Sequence, residues 1–536
     1  MSEACPGRGS RGERGINMRA RMSWATISGP TMSWATIAAL LLAAISVVVT
    51  LSLIDYPLGV AWDEVVKLVG VTKGRYAYYH PLFMIDLAQG AALVVQPPDQ
   101  PSLAHLVRVL GALAGGVMVF ATFNLARLVL PDLPALAAAA VSAAAPLFVV
   151  HARLFKEDIF VAAFLVLALA ALIRLLQEPA PHRAVLLGLL VGLAAGSKYI
   201  GALILLFAVI AILLVPTPGP ERRWLRAGTV TATAIGTFLL IMLPAIRRIA
   251  RWERGVNFEL VHSVEGHDVP LPLRVTWGLF HLRESLWPGL GTPLFALGLI
   301  GLAAPLVAAR ERRMPLFLIA GFTLLWYAVH EATPLKPFPD FSRYMLPLVP
   351  LFIILGTSFV YELSSRFDRR GVIAAIAVLL AAIPALSMSL RINSHDVDPR
   401  TIIPPIIAAS GARVVYDRYS DYQRNGRRIL GLRMRPTKDT ADIVVTANLA
   451  YDRFEYYPAR KGTVQADSAA YYRQLFTRPY LEVSNGRPTL AYFNPVVRIV
   501  AMDGPVERLE KIAADIHAAA PGLTVRLIDQ APPGNE

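Results

Sequence analysis

Apolar runs of about twenty residues recur along the chain from Trp34 to about Arg391, separated by short polar stretches. A helix needs about 20 such residues to cross a hydrocarbon core of roughly 30 Å, so each run predicts a span. The predicted spans cover 34–54, 103–130, 132–150, 158–176, 184–197, 199–215, 227–246, 289–308, 315–330, 344–362 and 372–390, about eleven helices in all. The fifth runs into the sixth through the stretch GSKYIG. The first is too long for a cleaved signal peptide and no small-residue cleavage pattern follows it, so it is expected to remain as an anchor. Beyond Asn393 the pattern changes. The stretches ARVVYD, ADIVVTAN and NPVVRIVAM alternate as strands do, VERLEKIAADIHAAA has helical spacing, and LTVRLID reads as a further strand. A small soluble α/β domain over 392–536 is expected, with a loose tail, APPGNE.

Composition sharpens this picture. The chain has 536 residues, 55% of them hydrophobic and 17% charged. Its mean hydropathy of +0.50 is more than one water-soluble core requires. The net charge of +14 would suit nucleic acid, but the basic residues stand between the spans. With the arginine-rich arm 1–33 in the cytoplasm, the alternate loops holding Arg174 and Arg183, ERRWLR, RERR and RFDRR fall on that side too. The rule puts residues 392–536 outside the cytoplasm and leaves no nucleic-acid partner. The long external loop 247–288 is basic against the trend, although long loops follow the rule weakly. Cys5 is the sole cysteine, so no intramolecular disulfide forms. The hexamer MSWATI occurs at Met22 and again at Met32, as a local duplication or a mis-set start, which leaves Met1, Met18, Met22 and Met32 as starts.

The membrane region, 34–391, carries two external loops with content of their own. Loop 55–102 holds the adjacent acids Asp63 and Glu64, the aromatic cluster RYAYYHP, and PLFMIDLAQGAALVV, an apolar helix expected to lie on the membrane surface. Loop 247–288 holds RWERGVNFELVHSVEGHD, partly amphipathic. Charges near membrane depth cost roughly 2.5 to 3.5 kcal/mol each on insertion scales and usually point into a cavity. Here they gather on one face. To Asp63 and Glu64 the topology adds HARLFKED (His151, Arg153, Lys156, Glu157, Asp158), then Lys198 and Tyr199, then His330, Glu331, Lys336, Asp340, Arg343 and Tyr344.

Each has a plain structural role open to it. Acids in a loop are solvated, carboxylates at a helix start suit its dipole, and Lys198 or Arg343 can anchor a span at the interface. Together, an acid pair and several cations around one interfacial pocket are what a reaction on an anionic lipid-linked substrate requires. Glu157, Asp158, Asp63 and His80 offer oxygen and nitrogen ligands to a divalent metal such as Mg or Mn, but no spacing has the form of a closed metal motif, and no cofactor is required. Nothing on the cytoplasmic side resembles a glycine loop for a nucleotide sugar. A transporter or lipid flippase is the competing class. It would show ionisable residues in broken helices at mid-bilayer, or two similar halves.

Four motifs carry a family resemblance. They are the DE of the first external loop, R..KED entering the fourth span, GLAAGSKYIGAL between the fifth and sixth, and SRYMLPLVPL opening the tenth. In these the chain resembles the polytopic glycosyltransferases that use polyprenyl-phosphate sugars, the C-type fold. It looks most like the dolichyl-phosphate-mannose protein mannosyltransferases, glycosyltransferase family 39, and their bacterial relatives, which include the aminoarabinose transferase acting on lipid A. The resemblance runs from Trp34 to about Ser389. It implies a multi-pass protein of a bacterial inner or plasma membrane that moves a hexose or pentose, mannose or another monosaccharide, from a polyprenyl-phosphate donor to an extracytoplasmic acceptor. By the resemblance Asp63 activates the acceptor with Glu64 beside it, Glu157 or Asp158 forms a second acidic site, and Lys198 and Arg343 face the lipid phosphate.

Transfer of this kind needs a carboxylate near the acceptor hydroxyl and cations on the phosphate, and a single carboxylate acting opposite the leaving group implies inversion. Arg153 and Lys156 are suited to join the phosphate site, and His80, Tyr199, Tyr344 and Lys336 to contact substrate. The chain departs from eukaryotic protein mannosyltransferases in lacking an inserted carbohydrate-binding loop domain before its eighth span. A protein acceptor therefore does not follow, and protein, lipid and glycan all remain as acceptors beside the membrane lipid itself.

Overall fold

The computed structural model describes residues 33–54, 62–74, 78–217, 222–265, 278–333, 340–393, 397–417, 419–420, 428–430, 435–455, 464–491, 493–502 and 506–529. The arm before Ser33, with Cys5 and the alternative starts, lies outside these residues, as does Lys336. The side chains of Asp63 and Asp340 lie outside them too.

Among the described residues of the N-terminal region, every regular element is helical. Its helices are α1 Trp34–Ser52, α2 Trp62–Lys73, α3 Phe83–Val95, α4 Gln100–Ala126, α5 Asp132–Ala144, α6 Pro146–His151, α7 Glu157–Gln177, α8 Pro181–Ser197, α9 Leu203–Leu214, α10 Arg223–Ile241, α11 Leu243–Ile246 and α12 Ile249–Glu265. They are followed by α13 Thr292–Gly301, α14 Arg310–Ala332, α15 Leu348–Leu363, α16 Arg370–Ala381 and α17 Ile383–Ile392. Seven helical stretches among the described residues are long and apolar enough to cross a membrane: α1, α4, α7, α10, α14, Leu348–Arg366 and Arg370–Ile392. The other four predicted spans are helical but short or interrupted. Span 132–150 breaks at extended Ala145, before Pro146, which cannot take part in the preceding ladder. Spans 184–197 and 199–215 are separated by Lys198, whose backbone is extended at φ −154° and ψ 133°. Span 289–308 gives way after Gly301 to a single turn that starts with Ala304 and Pro305.

Sequence explains where these helices start and which way they face. The Asp99 side chain caps α4 by accepting from Ser102 N at 2.8 Å, with proline in the first turn. Glu157 and Asp158 open α7, where carboxylates meet the positive end of the dipole. Large apolar side chains such as Leu41, Val48, Leu214, Leu240 and Leu380 are exposed, a surface suited to lipid, while Phe123, Phe322 and Trp326 are buried inside. The seam between α8 and α10 is made by glycines one turn apart. A Cβ at Gly188 would stand 2.6 Å from Val230 O, and one at Gly192 would stand 2.7 Å from Ala234 O. Small residues at this spacing let two membrane helices approach to backbone contact, which makes up for the missing hydrophobic drive in lipid.

The C-terminal region forms a six-stranded mixed sheet: β1 Val414–Asp417, β2 Arg428–Leu430, β3 Ile443–Ala447, β4 Tyr480–Ser484, β5 Val497–Ala501 and β6 Thr524–Ile528, in the order β2-β1-β3-β5-β4-β6. β1 is parallel to β2 and β3, and the remaining pairs are antiparallel. α18 Pro399–Ala409 and α21 Val506–Ala519 cover one face of the sheet with Ile403, Ile407, Leu509 and Ile516. α19 Asn448–Glu455 and α20 Val464–Leu475 cover the other with Tyr451, Phe454 and Tyr472. The first core cluster also takes in Val150 and Leu154 of the membrane region, so the sheet is seated directly on the chain entering α7.

At the end of β1 the Asp417 carboxylate is buried and accepts from Tyr419 N at 2.7 Å, Ala447 N at 2.8 Å and the Thr446 hydroxyl. It ties the ends of β1 and β3 together. Asp417→Asn turns one acceptor into a donor facing N–H groups, at a cost of roughly 1 to 3 kcal/mol. Amide exchange at β1 and β3 in the full-length variant is expected to quicken; unchanged exchange would mean that the carboxylate does not hold the strands.

Candidate active site

One end of the bundle concentrates charge. α2 is pinned there by Glu64, whose carboxylate takes Arg108 of α4 in a two-pronged pair (Nε to Oε1 3.1 Å, Nη2 to Oε2 2.8 Å) and also accepts from Phe155 N at 2.8 Å. Arg108 also donates to Ile54 O at 3.1 Å. Both side chains are buried. This network fixes α2, the end of α1 and the segment before α7 against one another. The Glu64 carboxylate, which the sequence set beside Asp63 as a candidate catalytic residue, is thus engaged by Arg108 and Phe155 N. Glu64→Gln removes the charge that Arg108 faces. It is expected to cost roughly 1.5 to 3 kcal/mol, read as a lower unfolding temperature in detergent; an unchanged unfolding temperature would remove this structural role.

The acid pair at the start of α7 is divided between two sets of cations. Glu157 is bonded by Lys67 Nζ of α2 and lies 2.9 Å from His80 Nε2. Asp158 takes Lys198 Nζ at 2.7 Å, Arg343 Nε stands 3.5 Å from its other oxygen, and Lys156 is within electrostatic reach. The Lys198 ammonium also lies over the Tyr344 ring at 4.3 Å from its centroid, and the Arg343 guanidinium is 5.3 Å from the same ring. Tyr344 is in turn flanked by Phe341 and His330 at 5.1 and 5.3 Å. His330 Nδ1 is 2.9 Å from Trp326 O, and Trp326 Nε1 donates to Tyr344 O at 2.8 Å. The extended backbone at Lys198, between two helices, is what brings its side chain to α7.

Among the described residues, Lys67, Lys156, Lys198 and Arg343 are gathered around the two carboxylates of Glu157 and Asp158. In a site shielded from bulk water, cations held this close together interact strongly with an anion that comes among them. No group of three metal-ligating side chains occurs among the described residues. Of the metal ligands that the sequence offered, Glu157 and His80 are paired and Lys67 bonds the same carboxylate, while the Asp63 side chain lies outside the described residues.

Other predicted residues are placed elsewhere. Arg153 is directed away from the acid pair, toward the C-terminal sheet: its guanidinium lies 4.4 Å from the Phe493 centroid, bonds Asn393, and donates to Leu53 O at 3.4 Å. The Tyr199 hydroxyl donates to Tyr78 O at 3.1 Å and receives Trp252 Nε1 at 3.0 Å, tying loop 55–102 to α12. Glu331 accepts from Phe280 N and His281 N at 3.1 and 3.0 Å. Two partners escaped the sequence reading. Lys67 stands one helical turn after Asp63 in α2, and Arg108 is a charge within a long apolar helix, which was a signal in itself.

Residues 102–247 match the family model described as dolichyl-phosphate-mannose-protein mannosyltransferase, a segment that contains Lys156, Glu157, Asp158 and Lys198. No curated protein matches the chain. Among solved structures, the archaeal oligosaccharyltransferase AglB from Archaeoglobus fulgidus, in complex with an inhibitory peptide and a dolichol-phosphate, aligns with a TM-score of 0.52 at 13% identity over 84% of this chain and 74% of that one. The Archaeoglobus fulgidus oligosaccharyltransferase tethered with an acceptor peptide aligns with a TM-score of 0.51 at 12% identity, over 87% and 74%. ArnT from Cupriavidus metallidurans bound to undecaprenyl phosphate scores 0.48 at 14% identity, over 88% and 100%. The chain is a multi-pass membrane protein with the C-type glycosyltransferase fold, followed by a C-terminal sheet region. Within that fold it is similar to the polyprenyl-phosphate-sugar enzymes of the mannosyltransferase type.

Proposed function

We propose that the chain transfers a sugar from a polyprenyl-phosphate donor to an acceptor on the extracytoplasmic side, with inversion. The observation that supports this reading best is the convergence of Lys198 and Arg343 on Asp158 and on the Tyr344 ring. A polyprenyl-phosphate sugar is a phosphodiester with one negative charge, and the polyprenyl phosphate it releases gains a second. Cations held ready by Asp158 and by the Tyr344 ring stabilise that growing charge. The acceptor oxygen bonds to the anomeric carbon on the face opposite the phosphate, the carbon–oxygen bond to phosphate breaks, and phosphate leaves with the electron pair. The hydroxyl proton goes to a carboxylate. Glu64 is committed to Arg108, so the base is Asp63, its neighbour at the start of α2.

Lys67 and His80 hold Glu157, which makes that carboxylate the second acidic site and keeps α2 against α7. No resident metal is needed for this scheme. The N-terminus is in the cytoplasm, and the sheet region stands outside, beside the reaction, as the arginine-rich loops require. The sugar is mannose or another hexose or pentose, and the acceptor is a protein, lipid or glycan of the envelope. Linkage analysis and intact-mass measurement of envelope glycans and glycoproteins, from cells with and without the chain, test both together. A single missing terminal sugar is expected; identical profiles would contradict the proposal.

A further inference from the structure

At the end of the bundle opposite the acid cluster, α9 and α14 enclose a groove of about 440 Å³. α14 runs from Arg310 here to His330 beside Tyr344, a rise of roughly 30 Å at about 1.5 Å per residue, so the groove and the acid cluster lie on opposite sides of the bilayer. One wall is Phe207, Ile210 and Leu214 and the other Met314 and Phe317, while Arg310 and Arg313 also line it. Ile210, Leu214 and Phe317 are exposed, so the apolar walls open to the surrounding lipid.

The charge at this end is one-sided. The first turn of α14 has Arg310, Arg312 and Arg313 against Glu311, and Arg312 is paired with Glu362 at 2.6 Å. Arg223, at the start of α10, donates to Leu213 O at 3.2 Å, which brings a further cation to the end of α9. An apolar groove open to lipid, with guanidinium groups at headgroup depth, matches an acyl chain joined to a phosphate.

We infer that this groove binds an anionic phospholipid such as phosphatidylglycerol, its chain along α9 and α14 and its phosphate at Arg310 and Arg313. The assignment is independent of the sugar-transfer reading, because the site lies across the membrane from Asp158 and Lys198. It also commits to a structural phospholipid over a polyprenyl phosphate, since the reacting cluster is at the other end.

The full-length protein, delipidated in detergent and mixed with equal amounts of phosphatidylglycerol and phosphatidylcholine of the same chains, tests this by native mass spectrometry. Wild type is expected to retain phosphatidylglycerol in preference. Arg310→Ala with Arg313→Ala should lower that retention roughly tenfold or more, leaving phosphatidylcholine unchanged. Both arginines are exposed, and the bond from Arg313 Nη2 to Ala308 O at 3.2 Å is local, so the variant is expected to fold, as size-exclusion elution will show. Leu214→Trp, which fills the groove from an exposed position, should lower retention of phosphatidylglycerol with the arginines intact. Equal retention of the two lipids by wild type, or unchanged phosphatidylglycerol in the double variant, would overturn the assignment. Preferential retention of polyprenyl phosphate over phosphatidylglycerol by wild type at equal amounts, lost in the double variant, would overturn it in favour of the donor lipid.

Discussion

Asp63→Asn is expected to abolish sugar transfer while the protein inserts, folds and binds donor as the wild type does. The substitution preserves size and removes the proton-accepting charge, and loss of a general base typically costs a factor of roughly 10² to 10⁴. Its neighbour gives the control. Glu64 is buried against Arg108 and Phe155 N, so Glu64→Gln should act on stability and lower turnover far less. Initial rates with a saturating donor, read beside the unfolding temperatures of the two variants, separate the roles. Near-normal rates for Asp63→Asn with a collapse in Glu64→Gln at unchanged stability would reverse the assignment. Near-normal rates in both would return the pair to ordinary structural carboxylates.

The second large effect is expected at the phosphate. Lys198→Ala and Arg343→Ala each remove a charge-assisted contact, worth roughly 1.5 to 3 kcal/mol where it is desolvated. Each should therefore weaken donor use by a factor of roughly ten to a hundred. Both side chains share Asp158 and the Tyr344 ring, so the double variant should lose less than the product of the two single effects. Removing either cation also leaves Asp158 less well compensated in its buried position, so stability is measured alongside. Lys198→Arg and Arg343→Lys keep the charge and should restore folding more fully than donor use, since the fork and the point charge reach different places. Donor affinity equal to wild type in both folded alanine variants would make these residues structural partners of Asp158 alone.

The elements were largely legible because each depends on local pattern. Apolar length gives α4, α7 and α14, and alternation gives β1, β3, β5 and β6. Proline marks the break before α6, although a run of apolar residues across 132–150 hid it. Strand β4 and helices α18 to α20 carry weaker patterns and emerge from packing against the sheet. For the site, the residue types were legible and their directions were not. Arg153 sits only three residues before Lys156, yet it faces Phe493 and Asn393, residues more than two hundred positions away. Glu64 follows Asp63 directly, and only the position of Arg108 on α4 reveals its commitment. Side-chain direction on a turn is decided by which helix arrives beside it, and one turn of sequence does not encode that.

The fold does not by itself establish the chemistry, because one fold hosts many reactions. The direct measurement supplies the purified protein, in detergent with its native membrane extract as acceptor, with a polyprenyl-phosphate sugar radiolabelled in the sugar. Polyprenyl phosphate is followed by mass. Loss of donor, equimolar release of polyprenyl phosphate and passage of label into an acceptor with inverted anomeric configuration, all absent in Asp63→Asn, are the predicted results. Donor that stays intact while the reconstituted protein moves it from one leaflet to the other would contradict the account and identify a lipid transporter.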